Sequence, residues 1–305
     1  KFWEEHPQWR EKNPSGKEVG IEWRKAMALT NPDCRNEVKK WLAGLLERFP
    51  FDGVNIAGLH FSGKGPEQPE TLSPFNEAAC NEFAKQYGFD PRTLWKEQSV
   101  HFWKRAPQDL ARFFEWRAQW TTQLHREFLE FLHKMSRHKH MSLVVTNVDG
   151  AAVPEKAQFL GVDIEAILRL RKEFPFQIQF MDAGDARPWG KDRINSIRDD
   201  YGEYISPADI VFNANISQEV RSLPTRILTG LPLYTVLAGV SPMPVAIFSE
   251  ASIPDADWPY IARSLASGTS FHMTSSEAMI NSDAGVRIAL TSKKDFSFFL
   301  DGKKW

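Results

Sequence analysis

From residue 142 onward, short β-rich runs at 142–147, 176–181, 209–214, 244–249 and 269–274 alternate with helical or loop stretches. Connections of roughly twenty residues or more are too long for tight hairpins and suit crossover helices, so this rhythm predicts parallel strand pairing. An earlier run at 52–58 makes the sixth such strand. Two architectures use parallel strands in this way. An open doubly wound sheet carries a glycine-rich phosphate turn between an early strand and its helix. The nearest candidate, Gly63-Lys64-Gly65, leads into Pro66 and Pro69 instead of a helix. The sequence therefore predicts an α/β fold, a (β/α)8 TIM-type barrel. Because six strands fall short of eight, the barrel is expected to lack its first strands in this chain.

Upstream, Asn31-Pro32 reads as an N-cap followed by proline at the first helical position. Val38, Trp41, Leu42, Leu45, Leu46 and Phe49 follow at helical spacing up to Pro50. Ser73-Pro74 reads as a second helix start, running to Tyr87 and closed by Gly88. A long third helix carries Leu110, Phe113, Phe114, Trp120, Leu124, Phe128, Leu132 and Met135, and ends in a basic cluster at Arg137. Residues 1–31 show no sustained period and read as an ordered loop. At the other end, 286–290 and 296–300, with Asp301-Gly302 after them, predict a β-hairpin. Residues 1–280 are thus expected to form the barrel, and 281–305 a hairpin extension or the opening of a further domain.

Composition removes several function classes. Lys+Arg 38 against Asp+Glu 39 gives a net charge of -1, with no basic patch, which argues against a nucleic-acid partner. No apolar run approaches the length that spans a bilayer, so membrane insertion is not expected. Two cysteines, Cys34 and Cys80, exclude a disulfide scaffold and leave one bridge or two free thiols open. His133, His138 and His140 lack the i, i+4 spacing of a metal pair and read as a solvated helix end, so no metal and no cofactor are expected. The 11 Trp and 22 Phe imply either a large core or a stacking site for flat ligands.

Candidate site residues come from the strand ends, where barrel enzymes place their chemistry. Asn55 lies in the first run, and His60 shortly after it. Asn147 and Asp149 end the second, Gln179 and Asp182 the third, Asn213 the fourth and Glu250 the fifth, and His272 lies in the sixth. Asp149-Gly150 also reads as a turn dipeptide, and Asp182 equally as a helix cap. A ring of amides, carboxylates and imidazoles suits a ligand rich in hydroxyls, with Trp189, Trp9 or Trp258 available to stack on sugar faces. Two carboxyl groups across such a ring would cleave a glycosidic bond, one as proton donor and one as nucleophile or base. Glu250 and Asp182 are the expected pair. A lyase or aldolase barrel would want a lysine or metal-binding carboxylates at strand ends, and the strand ends carry no such lysine.

The segments His6-Pro7-Gln8-Trp9, Leu29-Thr30-Asn31-Pro32 and Phe51-Asp52-Gly53-Val54-Asn55, with 176–179, 210–216 and 245–253, resemble the bacterial glycoside-hydrolase-like TIM barrels described as family-10-like. The resemblance implies hydrolysis of a polysaccharide or oligosaccharide, a carbohydrate ligand and an extracytoplasmic location. It also implies that strands precede the segment at His6. Two positions depart from it. Where relatives place an acidic residue after the Asp-Gly-Val strand, this chain reads Asn55-Ile56-Ala57-Gly58-Leu59-His60, and Asn213 stands where they have Asp. A catalytically degenerate barrel that binds glycan or a protein partner is the alternative those departures leave open.

Overall fold

The computed structural model describes residues 2–21, 24–136, 141–181, 186, 191–215, 244–248, 253, 255, 258, 261–262, 265, 270–273, 278–281, 299–300 and 303–304. In chain order its helices are α1 (Phe2–Glu5), α2 (Pro32–Arg48), α3 (Glu77–Tyr87), α4 (Pro107–Ser136), α5 (Pro154–Leu160), α6 (Ile164–Arg169) and α7 (Lys191–Tyr201). Its strands are β1 (Gly20–Ile21), β2 (Arg24–Lys25), β3 (Gly53–Ala57), β4 (Ser142–Asn147), β5 (Gln177–Phe180), β6 (Phe212–Asn215), β7 (Val245–Phe248), β8 (Ser270–Met273), β9 (Ala278–Asn281), β10 (Phe299–Leu300) and β11 (Lys303–Lys304).

Strands β3, β4 and β5 form one parallel sheet, and β6 and β7 another. A parallel bridge between Ile178 and Ile210, with the Val211 N–H donating to the Ile178 carbonyl at 2.8 Å, joins the two. Five parallel strands therefore stand in their order along the chain. A doubly wound sheet reverses that order at a switch point, and these five strands show no reversal. Among the described residues no pairing links β7 back to β3.

Register divides the residues between two faces. Val54 and Ile56, Leu143 and Val145, Ile178 and Phe180, and Ile210, Phe212 and Ala214 turn toward the helices, and those of β4, β5 and β6 are buried. Asn55 and Ala57, Val144 and Thr146, Gln177 and Gln179, and Asn213 turn the other way. The helix-facing side is continuous with Leu129 and Leu132 of α4, Ile164, Ile167 and Leu168 of α6, and Ile194, Ile197 and Tyr201 of α7.

A second core lies away from the sheet. Phe75, Phe83, Phe89, Phe113, Phe114 and Trp116 pack with Leu72, Cys80 and Leu94, and Phe83 meets Phe89, Phe113 and Trp116 edge-on. Each buried ring contributes on the order of 2–3 kcal/mol by area, and each edge-on pair about 1 kcal/mol more. This cluster is where a large part of the aromatic excess goes. Helix α4, about 45 Å long by its 30 residues, contributes Phe113, Phe114 and Trp116 to this core and Leu129 and Leu132 to the other.

Several expectations need correction. The run at 269–274 is not a sixth parallel strand: β8 pairs antiparallel with β9, Phe271 opposite Ile280. At the C-terminal end β10 pairs antiparallel with β11, Leu300 opposite Lys303, while 286–290 lies outside the described residues. Residues 1–31 are more ordered than a loop, with α1, a ribbon of β1 and β2, and bridges Arg10–Met27 and Lys12–Glu18. The second helix starts at Glu77, because Asn76 caps it by accepting from the Ala79 N–H; Ser73-Pro74 is a cis bond in the preceding loop. Asn31 caps α2 as expected, and Gly88 ends α3 at φ 83°. Cys34 and Cys80 are both free and buried, and burial pushes their thiols up to about 11 and about 12.

Candidate functional site

Parallel strands gather their C-terminal ends on one edge, and the residues there fall into two groups according to face. The first group lies on the face away from the helices. Thr146 Oγ1 donates to Asn55 Oδ1 at 2.9 Å, which ties β3 to β4 at this level. Gln179 pairs in register with Thr146, and Asn213 lies on the same face of β6, two residues beyond the position level with Gln179. The Asn213 side-chain oxygen is buried with no hydrogen-bond partner among the described residues. Asn55 is exposed, and Gln179 and Asn213 are partly exposed, so the row is open to a ligand.

The second group lies behind the strand ends. Asn147, on the helix-facing side of β4, is fully buried against α4 and meets His125 Nε2 at 3.3 Å. His125 Nδ1 lies 2.8 Å from the Thr121 carbonyl, which can only accept, so Nδ1 carries the proton and Nε2 accepts from the Asn147 amide. Burial pushes the His125 pKa down to about 4, with the nearby His60 charge acting in the same direction, so the imidazole is neutral at pH 7. The Asn147 oxygen accepts from the Val148 N–H at 2.8 Å and fixes the exit of the strand. Asp149 is likewise fully buried. Its Oδ1 accepts from the Tyr201 hydroxyl of α7 at 2.9 Å and from the Ala152 N–H at 3.3 Å, while the Ala151 N–H donates to that hydroxyl at 2.7 Å. The turn reading of Asp149-Gly150 thus holds, and the carboxyl is also the node that docks α7 on the β4 loop.

His60 follows β3 by three residues, its Nδ1–H donating to the Phe61 carbonyl at 2.9 Å. Between them Gly58 adopts φ 68°, and an added Cβ there would meet no atom within 4 Å. The left-handed backbone, not crowding, is what favours glycine at this turn. Further along this loop, Arg117 of α4 is wholly buried. Its Nε donates to the Ser73 carbonyl at 2.7 Å and its Nη2 to those of Ser62 and Phe159 at 2.8 and 2.9 Å.

Of the residues expected to form the site, Asn55, Gln179 and Asn213 share the open face, whereas Asn147 and Asp149 stand behind it. His272 lies on β8, which pairs antiparallel with β9. Asp182, Trp189 and Glu250 lie outside the described residues. Trp9 has one ring face covered by His6, with centroids 4.0 Å apart, which leaves only the other for stacking. Thr146, His125, Tyr201 and Arg117 were not anticipated. For His125 there was a signal, a histidine inside the apolar stripe between Leu124 and Phe128. Tyr201 carried none, since its partner is 52 residues away. Among the described residues no helix is long and apolar enough to cross a membrane.

The chain has a glycoside-hydrolase-like α/β fold. It superposes on the glycoside hydrolase domain of PgaB (BpsB) from Bordetella bronchiseptica with a TM-score of 0.52 at 14% identity, over 83% of this chain and 68% of that one. A β-galactosidase from the psychrophilic Marinomonas ef1 aligns with a TM-score of 0.47 at 12% identity, over 81% of this chain, which spans 41% of that enzyme. No protein-family profile matches the sequence. No curated protein matches it either.

Proposed function

We propose that this protein is a β/α barrel of the glycoside hydrolase kind, related to the family-10-like barrels, that acts on a polysaccharide or oligosaccharide. The observation that carries the reading is the set of Asn55, Thr146, Gln179 and Asn213 on the open face of sequentially ordered parallel strands. Hydroxyl-rich ligands satisfy such amides through paired donors and acceptors. Glu250 serves as nucleophile or base and Asp182 as proton donor, with His60, Trp189 and His272 as further contacts to the sugar.

Glu250→Gln tests this directly. It should lower turnover of a hydrolysed oligosaccharide by roughly 10² to 10⁴-fold while binding by calorimetry is retained. A protein that binds oligosaccharides but hydrolyses none of a broad panel overturns the hydrolase and supports the degenerate, glycan-binding barrel. Gly58 favours that second reading. At φ 68° it sits where a side chain costs on the order of 1–2 kcal/mol, so Gly58→Glu restores a carboxylate only on a strained turn.

A further inference from the structure

We propose that the groove between α4 and the α5–α6 segment is a docking site for a basic amphipathic helix of a partner protein. The groove has a volume of about 450 Å³. Its α4 wall is built from Ala111, Phe114, Glu115 and Ala118, at positions i, i+3, i+4 and i+7. That spacing places all four on one helix face, over a length of about 10 Å. Phe114 is buried and shared with the aromatic core, whereas Ala111 is exposed and Ala118 half-buried. Across from this wall stand Ala157 of α5, Val162 and Ile164 of α6, all buried. The distance between packed helix axes follows the side chains at the contact, so alanines on the wall let a second helix approach closely. An apolar floor with room for about two helical turns suits helix-in-groove recognition.

Charge selects the occupant. The charged side chains that line the groove, Glu115, Asp163 and Glu165, are all carboxylates and all exposed, and among the described residues no lysine or arginine lines it. Glu165 is paired with Arg169 at 3.0 Å, whereas Asp163 accepts from the Ala166 N–H and Glu115 meets only the Gln119 amide, at 3.5 Å. An apolar floor under an acidic rim complements a helix whose leucine-like face is flanked by lysine or arginine, and it repels an acidic helix. The rim is open to solvent along Ala111, Glu115, Ala151, Gln158 and Asp163, where an enclosed pocket would bury most of a small ligand. Gly150, Ala151 and Tyr201 also line the groove, and the Ala151 N–H donates to the Tyr201 hydroxyl at 2.7 Å. A helix seated there covers the turn that leaves β4. The open-face residues Asn55, Thr146, Gln179 and Asn213 do not line it, so docking is independent of whether the barrel cleaves glycan.

Calorimetry with a pair of helical peptides of about four turns each tests this. Both carry leucine along one face; one has lysine at the flanking positions and its twin has glutamate. The lysine peptide should bind with a Kd on the order of 10–100 µM, as small interfaces do, and weaken several-fold in high salt, while the glutamate twin should not bind. Glu115→Lys should lower the affinity by roughly fivefold or more. Ala118→Trp, which fills the groove from the surface of α4, should abolish binding. Trp41→Ala, at an exposed aromatic that does not line the groove, should leave it unchanged. Amide exchange at Ala151 should slow when the peptide is bound. Absence of binding by the lysine peptide overturns the proposal, and so does equal binding of the two peptides. Binding that Glu115→Lys and Ala118→Trp both leave unchanged, or that does not slow exchange at Ala151, overturns it as well. A groove that takes benzylamine but not the lysine peptide is a small-ligand pocket, which also overturns the docking site.

Discussion

Two buried polar networks involve α4, and they differ in which parts of the fold they tie together. In the aromatic core, Arg117 and Glu11 are charged residues enclosed beside phenyl rings, and their bonds go mostly to backbone. Arg117 holds the loop carbonyls of Ser62 and Ser73 and that of Phe159 near the end of α5, and burial pushes its pKa down to about 9. Glu11 accepts from the Lys12 and Phe75 N–H groups and from the Asn76 amide, and burial raises its pKa. At the strand ends, His125 bonds Asn147 and Asp149 bonds Tyr201 side chain to side chain, which links α4 to β4 and the β4 loop to α7, while their other bonds go to nearby backbone. The first network fixes the course of loops. The second fixes the relative positions of strand and helix behind the open face, where sub-ångström placement matters to any bound ligand.

If the loop network is scaffold in this sense, breaking it should cost the most. Arg117→Met keeps volume near Phe61, Phe113 and Phe114 but leaves the Ser62, Ser73 and Phe159 carbonyls without their donor. A buried group stripped of its partner costs about 1–3 kcal/mol, so the total is on the order of 3–5 kcal/mol, read by urea denaturation. The substituted chain keeps the strand-end network, so a loss below about 1 kcal/mol would mean that the loop is held by its aromatic contacts instead.

The two networks were not equally legible in the sequence. Periodicity located α2, α4 and the five parallel strands, because burial on one face leaves a repeat in the apolar residues. It misread 269–274, since an isolated four-residue β run carries no sign of whether its partner is parallel. Asn55, Gln179 and Asn213 could be assigned to a strand-end ring from alternation alone. Asn147 could not be separated from them, because a polar residue at a strand end looks alike on either face until register is known. Arg117 reads as an ordinary surface position between Trp116 and Ala118; only the arrival of the loop carbonyls, 42 to 55 residues away, makes it a core residue.

The strand-end network is separable from the loop network by pH. His125 titrates near 6.5 when unfolded and near 4 when folded, so between these values the unfolded chain binds the extra proton. Its contribution is fully present above pH 6.5 and is lost as pH falls toward 4, by about 3 kcal/mol in all. Glu11 acts with the opposite sign: its raised pKa means that the folded state gains a proton first, which favours folding as pH falls through the carboxylate range. Stability measured in urea from pH 7.5 to 4 should therefore fall with a slope that His125→Gln flattens and Glu11→Gln steepens. An unchanged slope in His125→Gln would mean that the imidazole is not held neutral by burial.

The smallest effect tests whether the side-chain network does more than stabilise. Tyr201→Phe keeps the ring stacked on Phe180, 5.0 Å between centroids at 15°, and removes only the hydroxyl that Asp149 and Ala151 share. One buried bridging hydroxyl is worth about 1–2 kcal/mol, well below the Arg117 loss. The placement of α7 against the β4 loop depends on that hydroxyl more than overall stability does. Amide exchange at Ala151 and Ala152 should accelerate further than the global loss accounts for, while exchange in the Ser62–Ser73 loop follows the global loss alone. Equal acceleration in both places would make the two networks one cooperative unit, and the contrast between them would then lie in the elements they join and not in function.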